Sequence, residues 1–292
     1  MSQNIFAGCY TALITPFKGD SVDYDSLSKI IEQQIAGGVD GIVAVGTTGE
    51  SPTLEEHDHV AVIRFIYEKV AGRCKVIAGT GANATAEAIR LTKEAAKIGV
   101  DGTLQVTPYY NKPSQEGLYQ HFMAIANATD IPIILYNVPG RAALPIDIDT
   151  LKRLSAHKNI VSVKEAAGCV DRVSQILSNC DLEVLSGDDS LTLPMMSLGC
   201  KGVISVLSNV LPTEMTQLTH AALANDWDKA REIHYKYYSL MNDMFIETNP
   251  VPVKTSMALL GYCQEDLRLP LCPMEESNKQ TLIESLKTAG VL

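Results

Sequence analysis

Short apolar runs alternate with longer amphipathic stretches along most of the chain. The runs Tyr10–Ile14, Gly41–Val45, Val76–Ala78, Thr103–Val106, Ile133–Tyr136, Ile160–Lys164, Glu183–Ser186 and Gly202–Ser205 have the length of buried strands. Between them, Leu27–Ile35, His59–Val70, Ala86–Ile98, Tyr119–Ala128 and Leu191–Leu198 carry apolar residues at helical spacing. Gly37-Gly38, Gly99 and Gly199 stand just before the next strand, where a helix ends in a left-handed residue. One phrase recurs at these joints: Ala36-Gly37-Gly38-Val39-Asp40-Gly41, Lys97-Ile98-Gly99-Val100-Asp101-Gly102 and Leu198-Gly199-Cys200-Lys201-Gly202. A repeated helix-to-strand turn implies a repeated strand–helix unit. Eight units predict an α/β fold, a (β/α)8 TIM barrel over residues 1–225. An open doubly wound sheet would place a glycine-rich turn after its first strand, and Thr15-Pro16-Phe17 is unlike one. From about Asp226 the pattern is helical only, at Trp227–Phe245, Val253–Leu260 and Glu275–Ala289. Residues 226–292 are therefore expected to form a C-terminal helical appendage.

Composition narrows the function. At 292 residues and 46% hydrophobic, with mean hydropathy +0.06, the chain can bury a large core. A net charge of -10 argues against a nucleic-acid surface, which needs a basic stripe. No window approaches a membrane span, and the segment from Met1 to Phe6 lacks a basic leader, so a cytoplasmic protein is expected. The seven cysteines are odd in number and include no C-x-x-C pair, which favours reduced thiols. His57 and His59, two apart, face different sides of a helix, so no metal site is expected.

Chemistry in such a barrel belongs at the carboxyl ends of the strands. Lys164 closes the apolar run Ile160-Val161-Ser162-Val163. That strand leaves two readings open: a lysine reaching into water, or a desolvated amine able to attack a ketone and form a Schiff base. Other strand ends supply company. Gly46-Thr47-Thr48-Gly49-Glu50-Ser51 presents hydroxyls and backbone N–H groups suited to a small carboxylate, or simply a capped turn. Tyr136 ends the fifth strand, one strand from Lys164, and Arg141 offers a planar fork for a carboxylate. Tyr109 and Tyr110 sit on a proline-bounded loop. Alternation along the strand should turn Glu165 away from the pocket, because a paired acid would hold the proton on Lys164.

These motifs carry a resemblance. Gly79-Thr80-Gly81-Ala82-Asn83, Thr107-Pro108-Tyr109-Tyr110-Asn111-Lys112-Pro113, Tyr136-Asn137-Val138-Pro139-Gly140-Arg141, Val163-Lys164-Glu165-Ala166, Ser186-Gly187-Asp188-Asp189 and Asn249-Pro250-Val251-Pro252-Val253-Lys254 join the Gly46–Glu50 turn in register. The chain thereby resembles the pyruvate-dependent class I aldolases, most closely their dihydrodipicolinate synthase family, nearly end to end. The resemblance implies a Schiff-base-forming lyase of the diaminopimelate and lysine pathway, condensing pyruvate with L-aspartate 4-semialdehyde. It implies no cofactor beyond the covalent imine on Lys164, with Tyr136, Thr48 and Tyr110 as a proton relay. Thr47 and Thr48 would hold the pyruvate carboxylate and Arg141 that of the semialdehyde, while Gly187 and Ile204 line the pocket. Tyr110 would reach a neighbouring subunit's site, which implies a dimer at least and typically a homotetramer, a dimer of dimers. Inhibition by L-lysine would map onto Ser51, Pro52, Glu56, His59, Asn83, Glu87 and Tyr109, although some inhibited relatives carry alanine and histidine where Pro52 and Glu56 stand. Glu55–His59 also reads as a charged helix face. Rival readings are N-acetylneuraminate lyase, a 2-keto-3-deoxy sugar acid aldolase, or a non-catalytic ligand-sensing barrel. Arg141 after Pro139-Gly140, and Thr47 in place of serine, favour the synthase over the sialic acid lyase.

Overall fold

The computed structural model describes residues 5–292; residues 1–4, part of the segment read for a leader, lie outside the described residues. Strand β1 (Gly8–Ala12) is followed by a two-stranded antiparallel hairpin, β2 (Phe17–Lys18) and β3 (Ser21–Val22). Then come β4 (Gly41–Ala44), β5 (Lys75–Gly79), β6 (Gly102–Val106), β7 (Ile133–Asn137), β8 (Ile160–Glu165), β9 (Glu183–Ser186) and β10 (Gly202–Ser205). All but the hairpin pair in parallel and close into an eight-stranded barrel in which β1 lies between β10 and β4. This is the (β/α)8 barrel that the alternating pattern predicts. The first strand begins two residues earlier than its apolar run suggested, at Gly8, whose N–H bonds the carbonyl of Lys201.

The barrel helices are α1 (Tyr24–Ala36), α2 (Glu56–Val70), α3 (Thr85–Ile98), α4 (Gln115–Ala126), α5 (Pro139–Ala142), α6 (Ile148–Leu154), α7 (Asp171–Asn179), α8 (Thr192–Ser197) and α9 (Pro212–Leu223). The helical tail follows as α10 (Trp227–Asp243), α11 (Val251–Leu259) and α12 (Glu276–Thr288). Side-chain caps start several of them: Asp23 accepts from the Ser26 N–H, Ser114 from Gly117 and Asp226 from Lys229. The repeated joints work as expected, with Gly99 and Gly199 at φ of 100° and 108°. Helices α6 and α7 are not among the amphipathic stretches of the sequence pattern, and α7 buries only Val173 and Ile176.

Helices cover the outside of the barrel, so the strands are buried on both faces and are largely apolar, with buried polar residues such as Thr103, Gln105 and Glu183 among them. Alternation still decides which way each side chain points. Tyr10, Val43, Ile77, Leu104, Ile134, Tyr136, Leu185 and Ile204 meet in one cluster. Val163 belongs instead to an outer cluster with Val173 and Ile176 of α7. Its neighbour Lys164 therefore turns to the other side, between its register partners Tyr136 on β7 and Leu185 on β9. The tail shares a third cluster with the barrel helices: Leu240 and Met241 of α10, Val253 of α11 and Leu282 of α12 join Ile31, Val62 and Met215.

Candidate active site

At the carboxyl end of the barrel a cavity of about 190 Å³ is lined by Thr47, Thr48, Tyr136, Arg141, Lys164, Gly187, Asp188, Ile204 and Asn249, among others. Lys164 is only 6% exposed, and its Nζ lies 4.3 Å from the centroid of the Tyr136 ring. The amine therefore lies against the ring face rather than in solvent. Gly187 leaves room for the lysine arm: a methyl group there would stand 3.0 Å from Cε of Lys164.

The turn after β4 forms the opposite wall. Val45 and Glu50 at its two ends have φ of 54° and 55°, and a left-handed β-branched residue is a genuine outlier. Strain of this sort costs roughly 1–3 kcal/mol per residue and concentrates at functional sites. The N–H groups of Gly49 and Ser51 return to the carbonyl of Gly46, and that of Glu50 to Thr47. Among the described residues the N–H groups of Thr47 and Thr48 have no acceptor, which leaves two donors for an anion. Thr48 is 2% exposed, and its hydroxyl accepts from Nδ2 of Asn249 at 3.0 Å. Arg141 is exposed at the mouth, where its guanidinium donates to the carbonyl of Asn249 at 3.0 Å.

Glu165 does not pair with Lys164. Its carboxylate accepts from Nδ2 of Asn137 at 2.8 and 2.9 Å, from the Ala167 N–H at 2.9 Å and from Nε of Arg172 at 3.1 Å. Burial nevertheless pushes its pKa up, against the pull of Arg172. Another acid is in the cavity wall. Asp188 is held up by burial and drawn down by Lys164 and by the Gly168 N–H, so the lysine does have an acidic neighbour. Asp189 turns away and ties the ends of β9 and β10 together by accepting from the Val206 and Leu207 N–H groups at 3.0 and 2.9 Å. Sequence reasoning gave no role to Asp188 or Asn249, because both are ordinary turn residues until the barrel closes.

Tyr110 is absent from this cavity. It is 92% exposed, with φ of 71°, on the loop after β6. A second cavity of about 240 Å³ adjoins the first through Gly46, Thr47, Leu104, Tyr136 and Arg141, and is otherwise walled by Ser51, Pro52, Val106 and Tyr109 among others. Of the residues considered for L-lysine, Asn83 donates to the Tyr109 carbonyl at 3.3 Å. Burial and the charge of Glu87 raise the Tyr109 pKa, so those three lie close together. His59 is buried with Nε2 on the Gly79 carbonyl at 2.7 Å, and burial lowers its pKa. Glu56 stands on the outer face in an ion pair with Arg90 at 3.2 Å. Among the described residues no cluster of three metal-ligating side chains occurs, and no helix is long and apolar enough to cross a membrane.

Residues 5–289 match the model of the dihydrodipicolinate synthetase family. A 4-hydroxy-tetrahydrodipicolinate synthase of Endomicrobium trichonymphae is 54% identical over 290 residues, covering 99% of this chain and 100% of its own. Among solved structures, a chloride-inhibited dihydrodipicolinate synthase of Acinetobacter baumannii complexed with pyruvate superposes with TM-score 0.96 at 45% identity, covering 98% of this chain and 99% of that one. An enzyme of the same name from Cyanidioschyzon merolae, with lysine bound, superposes with TM-score 0.96 at 41% identity, covering 99% and 100%.

Proposed function

The chain belongs to the dihydrodipicolinate synthetase family, and on that premise we propose that it condenses pyruvate with L-aspartate 4-semialdehyde through an imine on Lys164. The observation that carries this reading is a buried lysine amine over the Tyr136 ring, in a small cavity whose facing wall offers the free N–H groups of Thr47 and Thr48. In the proposed sequence the neutral amine attacks C2 of pyruvate and water leaves, forming the imine. Loss of a proton from C3 gives an enamine, with the imine nitrogen as electron sink. The enamine carbon bonds to the aldehyde carbon of the semialdehyde, whose oxygen takes up a proton. Attack of that substrate's amine on the imine carbon closes the ring and expels Lys164.

Thr47 and Thr48 would hold the pyruvate carboxylate, and Arg141 at the mouth that of the semialdehyde. The carbonyls of Gly187 and Ile204 line the floor. Tyr136, Thr48 and Tyr110 would relay protons, a task a phenol can perform by both giving and accepting one. Since Tyr110 points into solvent in a strained conformation, we assign it to the site of a second copy, where the adjoining cavity leaves room for an aromatic ring. The active species is then at least a dimer, with a dimer of dimers as the expected assembly. L-lysine is proposed as an inhibitor acting beside Tyr109, Asn83 and Glu87, and the cytoplasm as the compartment.

Incubation with pyruvate, borohydride reduction and peptide mass analysis test the first step: the adduct should sit on the Lys164 peptide. Full activity with an unmodified Lys164 would sink the mechanism. Rates with aspartate semialdehyde, N-acetylneuraminate and 2-keto-3-deoxy-gluconate separate the synthase from its sister aldolases. Reversible pyruvate binding without turnover of any of the three would indicate a sensing barrel.

A further inference from the structure

Lys254 of α11 and Glu50 of the turn after β4 form an ion pair with both side chains fully buried, yet neither lines the cavity. Lys254 also donates to the Asp266 carbonyl at 3.0 Å and lies 4.2 Å from the centroid of the Phe17 ring. The second oxygen of Glu50 accepts from the Arg268 N–H at 3.1 Å, and the Arg268 guanidinium reaches the Thr53 carbonyl at 2.9 Å. Apolar residues of the same volume join two elements as well as a buried ion pair, or better. What they lack is direction. The turn that Glu50 closes needs direction, because Val45 and Glu50 are both left-handed and such residues persist only where their surroundings over-determine them. Asn249, at the entry to α11, grips the same turn at the Thr48 hydroxyl. The tail thus holds the turn at two points, one inside the cavity and one behind it.

We propose that Lys254 is a positioning residue for pyruvate capture, acting through Glu50 to hold the N–H groups and hydroxyls of Thr47 and Thr48 in place. This role rests on the function proposed above. A displaced turn would weaken the grip on the pyruvate carboxylate first, because Arg141 sits on a different loop and is anchored to the Asn249 carbonyl rather than to the Lys254–Glu50 pair.

The decisive variant is Glu50→Gln with Lys254→Met, which removes both charges at similar volume, beside Lys254→Met alone. For the double variant the expectation is a folded protein with a melting temperature within a few degrees of the wild type, since the amide oxygen can still accept from the Arg268 N–H. Its KM for pyruvate should rise about tenfold and its borohydride trapping slow in step, with the KM for the semialdehyde within about twofold. A purely structural pair would leave both KM values and kcat at wild-type levels in the folded double variant, and that result overturns the proposal. Should neither variant fold, deuterium uptake of the peptide spanning residues 250–259 in the wild-type enzyme decides. At least about twofold slower exchange with trapped pyruvate supports the coupling, because linkage is reciprocal, and equal exchange overturns it. Wild-type enzyme that traps no pyruvate fells the proposed function itself, and this role with it.

Discussion

Gly187 should be the least replaceable glycine of the cavity, because a methyl group there has nowhere to go. It would stand 2.6 Å from Cβ of Ala166, 3.0 Å from Cε of Lys164 and 3.2 Å from the carbonyl of Glu165. Non-bonded carbons rest at about 3.5–4.0 Å, so Gly187→Ala demands about 1 Å of displacement. Cβ of Ala166 is fixed to the backbone, so that contact is relieved only by moving the chain beside Lys164, and the lysine arm must yield by about 0.5–1 Å as well. Overpacking of this kind costs about 1–3 kcal/mol, and a reactive group misplaced by about 1 Å loses about 100-fold in rate. Gly140 provides the control, since a methyl group there meets nothing within 4 Å. The assay is kcat/KM for pyruvate in a coupled reaction, with the trapped fraction by intact mass and the melting temperature beside it. Gly187→Ala should lose about 100-fold in kcat/KM and trap slowly, with a melting temperature lower by roughly 2–4 °C per kcal/mol. Gly140→Ala should stay within about twofold of wild type. Wild-type trapping and turnover in Gly187→Ala would refute the steric account of how Lys164 is aimed.

Arg172→Ala leaves the buried Glu165 carboxylate without its cation and should cost about 3–5 kcal/mol in chemical denaturation at neutral pH. Because burial already raises the folded pKa of Glu165 above its ordinary 4.5, ionisation opposes folding as pH rises through that range. The deficit of the variant should therefore shrink as the pH is lowered towards 4.5, and a deficit independent of pH would refute the assignment. His121 behaves in the opposite sense. Burial lowers its pKa from 6.5 to about 4, so its contribution is complete above 6.5 and is lost as pH falls towards 4. The loss is at most about 3 kcal/mol, and His121→Asn should flatten the stability profile in that window. A profile identical to the wild type would remove His121 as its cause. L-lysine at millimolar-scale concentrations should lower initial rates, and Glu87→Gln should weaken that inhibition by about tenfold or more. Flat rates in the wild type would reject the regulatory reading.

What the sequence disclosed was local, and what it withheld was distant. The strand before Lys164 could be read because a buried strand is a continuous apolar run and its end marks the chemical rim of a barrel. The opposite facing of Lys164 and Glu165 followed from a period of two, and the structure gives Glu165 to Asn137 and Arg172 on the outer side. Tyr136 could be placed beside Lys164 because consecutive units of a barrel are neighbours in space. No such rule reaches from the turn after β4 to the tail. Asn249 touches Thr48, and Lys254 touches Glu50, across 201 and 204 residues of chain. Local pattern makes Asn249-Pro250 a helix-breaking linker and Lys254 one polar position on a short helix. Their contacts with the turn after β4 become visible only when the tail packs against the barrel. The acid beside Lys164 was hidden in the same way, since Asp188 looks like any turn aspartate until β8 and β9 align. A site assembled from strand ends is legible because the strands repeat. The contacts from the tail to the turn after β4 lie outside the repeat, and no period predicts them.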